Sequence, residues 1–315
     1  MAFSSVRLDQ RSTNGGDVRM NDAIESVTVI IPTKGRNHLL TRAVTSVLGQ
    51  DSPHVSVIVV DDNSEDQRVK VALGENEWFN DRRVTLLENR TFLNAARARN
   101  VALDAVQTKW VTYLDDDDEY LPQKVQRQLT ICCEKRVPLV LCGYRRKLQF
   151  RSRDRQTHTK IYRGVELYRD AHPGTPFLFH RYDDQLRFDE TLDAHEDADF
   201  FYRAVAHFGV NEVYVAAEPL VIVHQQLSQR VNTQSEASSH AQRRIYYRHF
   251  RKLDKTVRRS LFLRLLLSRW KQDGGLGSFW KISFWLWKSE RSRMFRLIVN
   301  ATLFRVPFLR RFAVS

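Results

Sequence analysis

The chain has 315 residues, 42% hydrophobic and 28% charged, enough apolar side chains to bury a sizeable core and to exclude overall disorder. Its formal net charge is +13, and nineteen of its 50 Lys and Arg lie in 241–315 against three acids, so the first 240 residues are nearly neutral. Three cysteines, Cys132, Cys133 and Cys142, exclude a disulfide framework and fit a reducing cytoplasm, and no Cys/His spacing suits zinc.

Residues 1–25 carry Arg7, Asp9, Arg11 and Gly15-Gly16 without the apolar core of a signal peptide, and read as a flexible lead. Val27–Ile31 is β-branched and continuous, as a strand buried on both faces would be, and Pro32 is expected to end it. Leu39, Leu40, Ala43, Val44, Val47 and Leu48 recur at helical spacing. A second strand, Val55–Val60, runs into Asp61-Asp62-Asn63-Ser64, and a third covers Val84–Leu87. A helix through Ala95, Ala96, Ala98, Val101, Ala102 and Ala105 precedes a fourth strand, Trp110–Leu114, which ends in Asp115-Asp116-Asp117-Asp118. Leu139–Cys142 is a candidate fifth strand. The charged stretch 145–160 reads as an exposed hairpin or loop, Val213–Ala216 and Leu220–Val223 as short strands, and 232–239 as a polar linker.

Alternating strands and helices predict a mostly parallel, Rossmann-like sheet flanked by helices. Right-handed crossovers then bring the strand ends to one edge, where ligands of such sheets bind. Both acid clusters fall there. Four consecutive aspartates repel one another; on a free loop they would simply be solvated. Fixed at the end of an apolar strand, they call for a hard cation, Mg²⁺ or Mn²⁺, which takes carboxylate oxygens together with nucleotide phosphate oxygens. No Gly-rich phosphate loop occurs, which argues against dehydrogenase and P-loop kinase chemistry.

Val29-Ile30-Ile31-Pro32-Thr33 with Arg36, Ser46-Val47-Leu48 with Gln50, and Val59-Val60-Asp61-Asp62-Asn63-Ser64 together resemble the opening of the family 2 glycosyltransferases of the GT-A fold. Ala98-Arg99-Asn100 with Leu114-Asp115-Asp116-Asp117-Asp118 resembles that family's second block and DXD motif, and His195-Glu196-Asp197-Ala198-Asp199-Phe200 its later Glu-Asp motif. The resemblance runs from Val27 to Arg230; Lys34-Gly35 departs from it where an aromatic and Asn usually follow the Thr. It implies a GT-A domain over 26–231 that moves a sugar, with inversion, from a nucleotide-diphosphate donor (a UDP-sugar favoured) to a glycan or lipid-linked hydroxyl, in cell-surface polysaccharide synthesis. Pro32, Thr33 and Arg36 would then lie along the nucleotide. Asp61 or Asp62 would accept from the base, Arg99 would lie near diphosphate or base, and Asp115 and Asp116 near ribose or sugar. Asp117 would ligate Mn²⁺ or Mg²⁺ with His224 close by, Arg230 would reach the diphosphate, and Asp197 would be the catalytic base, with Glu196 its competitor.

Residues 232–315 are expected to form a basic amphipathic helical tail. From Arg243, arginines interleave with Tyr246, Tyr247, Phe250, Leu261–Leu263, Trp270, Trp280, Trp285 and Trp287. Such a pattern suits an interfacial helix on an anionic membrane, here the inner face of the cell membrane through 241–315. A helical subdomain packed on the catalytic domain is the plainer alternative. A nucleic-acid-binding protein using the tail is less favoured, because Leu and Trp dominate. A metal-dependent nucleotidyltransferase would share the carboxylate site but not the 195–200 motif.

Overall fold

The computed structural model describes residues 25–52, 54–89, 94–148, 151–155, 160–169 and 174–224, together with 241, 244, 245, 248, 249 and 253. In chain order they form β1 (Val27–Thr33), α1 (Asn37–Leu48), β2 (Val55–Asp61), α2 (Val69–Leu73), β3 (Val84–Glu88), α3 (Ala95–Asp104), β4 (Trp110–Tyr113), β5 (Glu119–Tyr120), α4 (Lys124–Lys135) and β6 (Leu139–Leu148). Then follow β7 (Arg151–Arg155), β8 (Lys160–Arg163), α5 (Val165–Arg169), β9 (Leu178–Arg181), α6 (Glu196–His207) and β10 (Glu212–His224).

One sheet runs β3-β2-β1-β4-β9-β6-β10-β5, with β7 beside β6 and β8 beside β10. It is parallel over β3-β2-β1-β4 and between β6 and β10; β9 is antiparallel to both β4 and β6. The sheet is therefore mixed rather than parallel throughout, because β9 runs against the two strands it separates. Val27, Val29 and Ile31 of β1 enter one core with α1 and α4; Ile30 enters the other with α3 and α6. Burial on both faces is why this strand reads as an unbroken apolar run.

Pro32 does not end β1, which continues to Thr33. The Ile30 carbonyl accepts from Leu114 N on the β4 side, and Pro32, two residues on, faces that same side, where the ladder with β4 has already ended at Ile30 opposite Tyr113. Its missing N–H therefore breaks no hydrogen bond. Similarly, the two short strands expected at 213–223 are one strand, β10, with register shifts around Pro219. The expected hairpin is β6 with β7, Arg146 standing opposite Arg153 in the register.

An aromatic cluster sets the spacing of the two halves of the site. Phe188 stacks on Phe200 of α6 at 4.0 Å, and both meet the Tyr113 ring of β4 edge-on at 5.3 and 5.8 Å. The Tyr113 hydroxyl hydrogen-bonds His180 Nε2 at 3.0 Å. The end of β4 is thus locked to the start of α6. Ile245 is buried in the same core as α3 and α6, and Leu253 packs against that core. Among the described residues, no helix is long and apolar enough to cross a membrane. The 1–24 lead, the 232–239 linker and 254–315 of the tail lie outside the described residues.

Candidate active site

The four aspartates after β4 do not act alike. Asp118 N donates to Asp115 O at 3.0 Å and closes a turn. Within it Asp115, Asp117 and Asp118 turn together, with one carboxylate oxygen of each within 4.8 Å of the others. Asp116 turns inward: it is fully buried, accepts Thr33 Oγ1 at 2.7 Å, and pairs with Arg36 at 2.6 Å. Arg36 also reaches Asp117 Oδ2 at 2.8 Å, and Arg42 donates to the Asp117 carbonyl at 2.5 Å. Burial pushes the Asp116 carboxyl up to about 6 despite Arg36. Burial likewise raises Asp117 and Asp118, the latter also through repulsion by Asp115 and Asp117. Three converging carboxylates held against their own repulsion make an all-oxygen donor set, which fits Mg²⁺ or Mn²⁺.

Sequence reasoning singled out Asp117 and missed Asp118, because nothing in a run of identical residues says which ones a turn brings together. His224 does stand beside this turn, at the end of β10, but through its backbone. Its N–H donates to Asp118 Oδ1 at 3.0 Å, while ring Nε2 is paired with Glu119. Burial, and after it Arg42, lowers the His224 pKa. Arg230 lies outside the described residues.

The β1 and β2 ends form the next wall. Pro32 and Thr33 close β1, and Asp62 N donates to the Thr33 carbonyl at 3.0 Å. The adjacent acids divide their work. Asp61 is fully buried: Oδ1 accepts from Asn63 N and Nδ2 at 3.1 and 2.8 Å, and Oδ2 from Val69 N at 2.7 Å. It builds the loop and starts α2. Asp62 instead pairs with Lys34 Nζ at 2.9 Å, a contact the departure at Lys34 creates.

Opposite stands α6. Its N-cap, His195, adopts the left-handed region at φ 58°, which costs a non-glycine residue about 1 kcal/mol and marks a position worth functional scrutiny. Glu196 and Asp197 open the helix. Burial, and then the Glu196 charge, pushes the Asp197 carboxyl up to about 7. Arg99 of α3 joins the two halves, donating to Glu196 Oε1 at 3.0 Å and to Asp115 Oδ1 at 2.9 Å. Burial works against its charge, but Asp115 and Glu196 outweigh it and hold Arg99 protonated. The structure thus brings Thr33, Arg36, Asp62, Arg99, Asp115, Asp117, Glu196 and Asp197 into one linked edge of the sheet. Asp61 and Asp116 support it from beneath.

The sequence matches the family described as Glycosyl transferase family 2 over residues 28–207. It is 35% identical over 119 residues to the putative teichuronic acid biosynthesis glycosyltransferase TuaG of Bacillus subtilis (38% of this chain, 46% of that one). It is 30% identical over 119 residues to the Escherichia coli UDP-Glc:alpha-D-GlcNAc-diphosphoundecaprenol beta-1,3-glucosyltransferase WfgD (38% and 45%). The matches therefore span about half the length of those relatives. A longer match, 26% over 256 residues, joins it to the putative colanic acid biosynthesis glycosyl transferase WcaA of E. coli K12 (74% and 84%). Among solved structures, S. aureus TarS 1–349 in complex with UDP superposes with a TM-score of 0.61 at 18% identity, covering 90% of this chain and 81% of that one. That likeness establishes the fold.

Proposed function

The chain belongs to glycosyl transferase family 2, and from that membership we propose that it transfers a sugar, with inversion, from a nucleotide-diphosphate donor to a hydroxyl of a glycan or lipid-linked acceptor. The observation that carries this reading is the Arg99 bridge. One buried guanidinium ties Asp115, in the cation-ready turn, to Glu196, beside the raised carboxyl of Asp197. A transferase of this kind needs both: oxygen ligands where the leaving diphosphate gathers charge, and a separate proton acceptor for the attacking hydroxyl.

Asp117, with Asp115 and Asp118, would hold Mn²⁺ or Mg²⁺. When bound, the ion offsets the charge of the departing diphosphate. Thr33, Pro32 and Asp62 line the nucleotide side, and Asp62 accepts from the base. Asp197 takes the acceptor's proton as its oxygen attacks the anomeric carbon from the face opposite the diphosphate. The bond to the donor's phosphate oxygen breaks with its electron pair, and the configuration inverts. A UDP donor is supported by the name of the E. coli relative WfgD, and an undecaprenyl-diphosphate-linked acceptor by that name and by that of a Campylobacter jejuni glucosyltransferase, 36% identical over 96 residues. Teichuronic and colanic acid relatives support a place in cell-surface polysaccharide synthesis. Acceptors of that kind sit at the inner face of the cell membrane, where the basic tail would hold the enzyme.

A thermal-shift panel of nucleotide sugars, with and without Mn²⁺, tests the donor site. UDP-sugar and Mn²⁺ should stabilise the chain together more than the sum of each alone. Asp117→Asn should abolish that synergy. Asp197→Asn should keep it but lose turnover by 10³-fold or more, of order ~4 kcal/mol in the barrier. Wild-type turnover in both variants would overturn the assignment.

A further inference from the structure

The strongest group of charges outside the site sits behind the base. Asp199, in the first turn of α6, is buried, with 1% exposure. It collects Arg203 Nε at 2.8 Å from its own helix, and from the beginning of the basic tail Arg248 Nη1 at 3.0 Å and His249 Nε2 at 2.8 Å. The same Arg248 nitrogen reaches Asp189 Oδ2 at 2.7 Å, and Arg244 adds a longer contact to Asp189 at 3.5 Å. Ile245, between them in sequence, is buried in the core, and the His249 ring lies 5.4 Å from Tyr202 of α6. Burial alone would raise the Asp199 pKa; the His249 bond and the arginines reverse that and hold it ionised.

Arg248 therefore grips both ends of the segment 189–199, which contains the left-handed His195 and then Glu196 and Asp197. A strained N-cap persists only where its surroundings over-determine it. The far end of the segment is tied independently: Asn100 Nδ2 donates to Glu190 Oε1 at 2.9 Å and Asn94 Nδ2 to the Glu190 carbonyl at 2.8 Å. We propose that Arg248 is a positioning residue for the transfer reaction, acting through Asp189 and Asp199 to hold the α6 start, and with it Asp197, at the distance the acceptor hydroxyl requires. The catalytic unit then includes the beginning of the basic tail. The inference rests on Asp197 being the base.

The test compares full-length Arg248→Ala, Arg248→Lys and Asp197→Asn. Misplacing a catalytic group by about 1 Å costs up to about 10²-fold, so Arg248→Ala should lower kcat roughly 10- to 100-fold while UDP–Mn²⁺ affinity, read by calorimetry, stays at the wild-type value. Arg248→Lys, which keeps the charge but carries it on a shorter stem than the Nη1 that meets both carboxylates, should fall between. A folded Arg248→Ala with wild-type kcat overturns the proposal, as does an equal loss of kcat and donor affinity, which marks general loosening. If the alanine variant does not fold, Arg248→Lys decides: reduced kcat at unchanged donor affinity supports the proposal and wild-type kcat overturns it. If Asp197→Asn itself keeps turnover, it is the base assignment that fails.

Discussion

At the scale of single residues, burial holds two carboxyls, Asp116 and Asp197, near neutrality, and Asp197 has the clearest consequence. Burial and the neighbouring Glu196 lift it from the ordinary 3.8 to about 7. A base must be ionised, so turnover should climb with pH through about 7 and fall away below it; a profile flat from pH 5 to 8 would rule Asp197 out. Stability runs the opposite way. The folded chain holds this proton more tightly than the unfolded one, so the stabilisation is complete below 3.8 and is lost as pH rises through about 7. Asp197→Asn should thus be the more stable protein at pH 8 and no more stable at pH 4. Melting curves at the two pH values read the difference directly. Activity and stability are opposed at this carboxyl, as expected where a base is held ready in a partly dry site.

Among the elements, the turn after β4 shows what the amino-acid string could and could not disclose. β1 to β4, α1 and α3 were legible because two-sided burial leaves unbroken apolar runs and helical burial leaves a spaced stripe. Short antiparallel strands gave no such signal: β9 reads Leu-Phe-His-Arg, and β5 is two residues long. The acids were legible as a cluster at a strand end, yet their division was not. Asp116 looks like its neighbours until the turn folds it onto Thr33 and Arg36. Removing it should therefore cost fold rather than metal. Asp116→Ala leaves Arg36 with Asp117 alone and Thr33 Oγ1 without its acceptor, and should lower stability by about 2–3 kcal/mol. Asp118→Asn should do the reverse in metal-free protein, raising the melting temperature by relieving repulsion from Asp115 and Asp117 while weakening the Mn²⁺ response. Denaturant and thermal unfolding in chelator, then with Mn²⁺, separates the two roles. Equal losses from both variants would mean that the tetrad is one undivided acidic patch.

For the whole molecule, the charge distribution is the fact that the catalytic geometry does not use up. Residues 241–315 carry nineteen Lys and Arg against three acids, on a chain otherwise nearly neutral. Part of that charge is spent internally, since Arg244 and Arg248 answer Asp189 and Asp199. The cations further on, interleaved with Trp270, Trp280, Trp285 and Trp287, have no comparable supply of acids in their own stretch. Near an anionic leaflet each Lys or Arg contributes about 1 kcal/mol, screened within a Debye length of about 10 Å at 0.1 M salt. Buried aromatic rings add an attraction that salt does not weaken. The chain should therefore cosediment with phosphatidylglycerol vesicles and much less with phosphatidylcholine ones. Raising salt from 0.1 to 0.5 M should release most of it but leave a residue held by the aromatics. A gel shift on RNA at the same salt discriminates the other polyanion: complete release from lipid with retained RNA binding would assign the tail to nucleic acid. Release from neither, once the chain is cut after Leu253, would show that the membrane contact belongs to the catalytic domain itself.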